Sequence, residues 1–243
     1  MSLQKGFHEP GEKPRRFYKD VEIRAVETGH AVLLDGRGPS AAGGRKLVLP
    51  TEALAQLCAD EWVRQDEFID LAAMSATRLA YTALEAIPPA RDATASQFAD
   101  YAGSDLICYF ADDPVALVVE QTKAWVPILE RVEIELGLVF VRAKGIRHRA
   151  QPDASLAAVR DLALSLDDFG LAGLAFGAPL FGSAILTLAL QRGWIEGHEA
   201  HTLSRVDDAF QEGKWGIDEE AAIRTAGLLK ESQMLAQWFS ALR

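Results

Sequence analysis

Cysteine is nearly missing from this chain: of 243 residues only Cys58 and Cys108 carry a thiol. They stand far apart in apolar surroundings, in no C-x-x-C pair and no zinc spacing. Both therefore read as reduced core thiols, a disulfide scaffold is excluded, and a reducing, cytoplasm-like compartment fits best. Positive charge is also short, with 25 Lys and Arg against 35 Asp and Glu, a net charge of -10 and a pI near 5.0. Nucleic acid and anionic membranes reward clustered cations, so neither is expected as the main partner. The one basic cluster, Lys13-Pro14-Arg15-Arg16 with Lys19, is too short to reverse that balance. The first residues hold no apolar run of the secretory kind and no Ser- and Arg-rich amphipathic pattern, so the protein is expected to work in the cytoplasm, where it is made. Internal repeats and low-complexity tracts are missing too.

What is present is an ordinary globular composition, 49% hydrophobic and 25% charged. The length suits one or two domains and buries about 70% of the unfolded surface without staples. Residues 1–16 lack periodicity and read as an arm. From Phe17 to Pro50 the pattern is β: Val21, Ile23 and Ala25 alternate with charge, Thr28-Gly29-His30 turns the chain, and Ala31 to Leu34 and Lys46 to Leu49 follow as short strands. The glycines between Gly36 and Gly44 lead into a strand and Pro50, whereas a phosphate loop opens a helix, which argues against a nucleotide cofactor.

Beyond Pro50 the chain reads helical. Thr51 caps a helix to about Gln65. Helices are predicted over 74–87, 92–104, 114–136, 153–166, 170–192, 196–212 and 218–242, with a strand at 138–141. The pattern gives an α+β protein, a small antiparallel β-rich domain with one helix over residues 1–70 and a larger orthogonal helical bundle over 71–243. The stretch from Leu171 to Leu190 is long and apolar enough to raise a membrane span. Pro179 and three glycines inside it, and the weak flanking positive charge, favour a buried bundle helix.

Catalytic signatures are absent. There is no G-x-S-x-G elbow, no H-E-x-x-H and no close Cys–His pairing. His198 and His201 lack a third ligand for a metal and read as exposed residues in the first turns of a helix. The acidic pairs at Asp112-Asp113, Asp167-Asp168 and Asp207-Asp208, and the run from Asp218, suit helix starts, with Asp112, Asp167 and Asp218 as the leading residues. A hydrolase or lyase with an acid–His site assembled in space stays the alternative from another class, and a helical scaffold for some different partner is a third reading.

One segment resists a bland account. On a helix, Leu203, Val206 and Phe210 form an inward stripe, while Ser204, Asp208 and Gln211 share an outer one. Gly213 would end that helix, and Trp215-Gly216 would link it to the terminal one. Trp215 either plugs the bundle or joins acid and amide in a docking surface.

At this segment the chain resembles the assembly chaperones of the F-type ATP synthase that act on the alpha subunit of its catalytic head. The resemblance runs from Lys13 to the C-terminus. It rests on Arg16-Phe17-Tyr18-Lys19, Leu34-Asp35-Gly36-Arg37, Leu49-Pro50-Thr51, and Glu61-Trp62 with Gln65. It continues through Met74 with Thr77-Arg78-Leu79-Ala80, Asp105-Leu106-Ile107-Cys108-Tyr109, Gln121 with Trp125 and Pro127, and Gly182-Ser183. It ends at Phe210-Gln211 with Trp215-Gly216. Departures are Gly38-Pro39 where Thr-Pro is usual, Ser75 where Pro is usual, and Val126 where an acid is common. The resemblance implies no catalysis, no cofactor, and one client, newly made alpha subunit, held without ATP until the beta subunit pairs with it. It also implies a bacterial form, since this chain begins without an import presequence. Client contacts are expected at Asp207, Asp208, Gln211, Trp215, Asp218 and Glu219. Trp62, Trp125, Pro127, Gly182 and Ser183 are expected as structural hallmarks.

Overall fold

The computed structural model describes residues 13–145 and 147–243. Three strands, β1 (Val21–Val26), β2 (Gly29–Leu34) and β3 (Val48–Leu49), form an antiparallel sheet in that order. The β1–β2 hairpin pairs Val26 with Gly29 and Val21 with Leu34. Gly29 has φ +139, and a Cβ there would stand 2.3 Å from the Leu49 carbonyl oxygen, so only glycine lets β3 close on the turn. Helix α1 (Glu52–Val63) starts where Thr51 Oγ1 accepts from the Leu54 N–H at 3.1 Å. Its Leu54, Cys58 and Trp62, one helical stripe, are buried beneath the sheet. Part of the predicted arm is not free. The Arg16 N–H donates to the Glu67 carbonyl and the Ile69 N–H to the Pro14 carbonyl, both at 2.8 Å. Residues 1–12 of that arm lie outside the described residues.

The rest is helical: α2 (Ser75–Tyr81), α3 (Arg91–Gly103), α4 (Val115–Leu136), α5 (Asp153–Leu164), α6 (Asp168–Phe181), α7 (Ala184–Gln191), α8 (Gly197–Ser204), α9 (Val206–Trp215) and α10 (Glu219–Ala241). Sequence periodicity missed four features. The helix predicted over 74–87 changes to a π-helical turn at Thr82–Ala86. The predicted strand at 138–141 has no ladder; instead β4 (Tyr109–Phe110) pairs in parallel with β5 (Ala143–Lys144). The long helix over 170–192 is two, broken where Gly182 adopts φ +62 and Ser183 caps α7 by accepting from the Leu186 N–H at 2.9 Å. The helix over 196–212 breaks at Arg205, and α9 runs through Gly213 to end at Gly216 with φ +83.

Helices α6 and α7 are the centre of the bundle, and close packing there needs small residues. A Cβ on Gly173 would meet Phe239 Cε1 at 2.5 Å, and one on Gly177 would meet Thr187 Cγ2 at 2.5 Å. Among the described residues, no helix is long and apolar enough to cross a membrane. The carboxyl of Asp105, fully buried, accepts from the Ile107 N–H at 3.2 Å and the Ile185 N–H at 2.9 Å, tying the 3₁₀ turn Leu106–Cys108 to the α6–α7 break. Sheet and bundle are stitched together along α1. The Glu61 carboxylate accepts from the Ala76 and Thr77 N–H groups at 2.9 and 2.8 Å, closing the start of α2. Thr51 Oγ1 donates to the Ala241 carbonyl at 2.6 Å, joining the first turn of α1 to the last of α10.

Candidate functional site

Helix α9 carries four of the six residues singled out in the sequence, and its geometry divides them. Asp208, Gln211 and Trp215, at i, i+3 and i+7, fall on one face and are all exposed. Trp215 is 84% exposed, so it does not plug the bundle. Asp207, about 100° further round the helix, is half-buried. Its Oδ1 accepts from Gln121 Nε2 at 2.6 Å, and the Oε1 of the same buried amide accepts from the Ala111 N–H at 2.7 Å. Asp207 thus fixes α9 to α4 as well as facing outward.

Arg205, at the α8–α9 break, holds the other side. Its guanidinium donates to Thr225 Oγ1 on α10 at 2.7 Å and to Glu212 at 2.5 Å, and reaches Asp208 more loosely at 3.4 Å. The stronger pairing with half-buried Glu212 leaves the Asp208 carboxylate, 68% exposed, largely to solvent. Asp218 caps α10 by accepting from the Ala221 N–H at 2.7 Å, with Glu219 exposed in the first turn. Exposed Ile217 and Ile223 stand beside these acids, so the corner from α9 to α10 presents apolar side chains within an acidic rim.

Of the residues expected as structural hallmarks, Trp62, Trp125 and Ser183 are buried, whereas Pro127 and Gly182 are exposed. Trp62 is buried, edge-on to Tyr18 at 5.8 Å, with its indole N–H unpartnered. Trp125 is fully buried and donates to the Leu203 carbonyl at 2.8 Å. Pro127 lies inside α4, and Gly182 and Ser183 form the break described above. Burial pushes the thiols of Cys58 and Cys108, both free, well above their ordinary range.

Among the described residues, no three His, Cys, Asp or Glu side chains stand close enough to share a metal ion. His201 is not the exposed residue expected. Its Nε2 is buried without a partner, and burial first, then Arg205, lowers its pKa. Asp167 and Asp218 cap helices as their positions suggest, whereas Pro114 rather than Asp112 precedes α4. Sequence reasoning quoted Gln121 only as a motif residue and gave Arg205 no role. The partners of both come from other helices, which no local pattern reveals.

The fold as a whole recurs in solved structures. Residues 15–133 match a family described as "ATP12 chaperone protein". The crystal structure of Atp12 from Paracoccus denitrificans superposes with a TM-score of 0.88 at 41% identity, over 95% of this chain and 99% of that one. An aspartate-to-lysine mutant of the same protein gives 0.88 at 40% identity, over 95% and 98%. Protein atp12, mitochondrial, of Schizosaccharomyces pombe is 25% identical over 224 residues, 85% of this chain and 75% of the relative.

Proposed function

The chain belongs to the ATP12 chaperone protein family, and from that premise we propose that it serves assembly of the F-type ATP synthase by holding newly made alpha subunit, without ATP, until the beta subunit pairs with it. The reading assigns it no catalytic step and no cofactor, and places its work in the cytoplasm. It keeps residues 1–70 and 71–243 as two units, the first supporting the second.

The observation that carries the proposal is the exposed stripe of Asp208, Gln211 and Trp215 on α9, continued by Asp218 and Glu219. An indole 84% exposed has a large apolar surface that favours burial against a partner. The carboxylates around it, on a chain of net charge -10, keep such a surface from self-association. Holding then consists of reversible burial of apolar client surface, steered by charge. The test is light scattering of purified alpha subunit with and without this protein, no nucleotide present. Suppression near equimolar ratio, with an unrelated aggregating protein unprotected, is the expected outcome. Aggregation unchanged, with no complex on a sizing column, would overturn the proposal.

A further inference from the structure

A groove of about 620 Å³ lies between the start of α4, the β4–β5 pair and the start of α9. Its apolar lining includes Phe110 and Leu117, each mostly buried. Asp112, Asp113 and Asp207 also line it, and no Lys, Arg or His does among the described residues. None of those three carboxylates is ion-paired among the described residues. Gln121 occupies one Asp207 oxygen and leaves the other without a hydrogen bond among the described residues. The half-buried ring of Tyr109 also lines the groove. α9 therefore stands between two sticky surfaces, the Trp215 corner and this groove, with Asp207 facing the second.

We propose that this groove is a second client-docking surface, taking an apolar segment of the client that carries an Arg or Lys side chain. The proposal rests on the reading above and names the chemistry of the bound segment. Charge complementarity selects the occupant. A cation entering here meets three carboxylates, none ion-paired among the described residues, beside a low-dielectric wall, which strengthens its attraction, while an acidic segment meets like charge on the lining, with His148 behind it, 3.0 Å from the Tyr109 hydroxyl. The aliphatic stem of Lys or Arg packs on Phe110 and Leu117 as the head reaches the rim. Phe110, Leu117 and the ring of Tyr109 supply the apolar contact that a basic peptide alone would not reward.

The test places a photo-crosslinking residue at Tyr109, which lines the groove, in the full chain, and separately at Trp215 and at Ile134, whose 82% exposed side chain at the far end of α4 reports background. Each is irradiated with purified alpha subunit. Expected is a crosslink from position 109, above that from 134, on a client peptide containing Arg or Lys. Alongside it, the Asp112→Asn, Asp113→Asn double variant should bind alpha subunit about fivefold more weakly at low salt, with an unchanged melting temperature. Crosslinking from 215 but not from 109 would overturn the groove and leave the proposed function standing. A crosslinked peptide without basic residues would overturn its assigned chemistry, and no complex with any form of the chain would overturn both readings.

Discussion

The indole N–H of Trp125 donates to the carbonyl of Leu203 at 2.8 Å, pinning the middle of α4 to the last turn of α8. The indole N–H of Trp62, equally buried, finds no partner. Replacing each by Phe removes similar volume, but only at position 125 does it orphan a buried carbonyl. Trp125→Phe should therefore cost about 1–2 kcal/mol more than Trp62→Phe in urea unfolding. Equal losses would mean that the bond contributes nothing net. Trp62→Arg, which buries a charge against Tyr18, should lower both melting temperature and soluble yield.

Burial raises the carboxyl of Asp105 to about 7, against hydrogen bonds from Ser183 and from backbone N–H groups that pull it down. Its folded value lies above its unfolded one, so its contribution to stability is complete below pH 4 or so and is lost as pH rises towards neutrality. Asp105→Asn does not titrate. Measured by denaturant unfolding from pH 4.5 to 8.5, wild type should lose stability relative to the variant up to about pH 7, then run parallel to it. The opposite slope would show that the backbone donors outweigh desolvation.

Gly173 and Gly177 lie in mid-helix, where alanine ordinarily gains up to about 1 kcal/mol. Here each new methyl would sit 2.5 Å from a core side chain, Phe239 or Thr187. Overpacking should win, with Gly173→Ala and Gly177→Ala each destabilising by about 1–3 kcal/mol. Calorimetry reads the answer, and a raised melting temperature would show that α6 has room to shift.

On α9, Asp208→Lys and Trp215→Ala alter side chains that face solvent, so both should melt within about 0.5 kcal/mol of wild type. Each should weaken capture of alpha subunit by about tenfold or more, the charge reversal acting mainly on association rate. A large fall in the melting temperature of Asp208→Lys would assign Asp208 to the Arg205 network instead.

Local chemistry made much of this fold legible. Thr51 after Pro50, Gly29 in the hairpin and Asp218 before the terminal helix each act through their nearest neighbours, and each is found in that role. Elements defined by distant partners were not legible. The β4–β5 pair is two residues long and joins segments over thirty residues apart, so it leaves no alternation to read. The break at Arg205 has no glycine or proline, because a guanidinium bridging Glu212 and Thr225 holds it. The Gly182-Ser183 break did carry a signal, a left-handed glycine followed by a capping serine, but continuous hydrophobicity on both sides masked it. The same limit applies at the candidate site. Asp207 and Asp208 read as one acidic pair, yet Gln121, 86 residues away, turns the first into a tether, while the second, only loosely reached by Arg205, stays 68% exposed.

The hydrogen bond from Thr51 to Ala241 spans 190 residues of chain. A ribosome adding roughly 5–20 residues per second delivers the second partner some 10–40 s after the first. During that interval α1 has emerged without the last turn of α10, and Ser75 without Glu231, the residue its hydroxyl meets at 2.7 Å. A protein proposed to hold newly made subunits thus spends much of its own synthesis unfinished, with its earliest helix waiting for nearly its latest one.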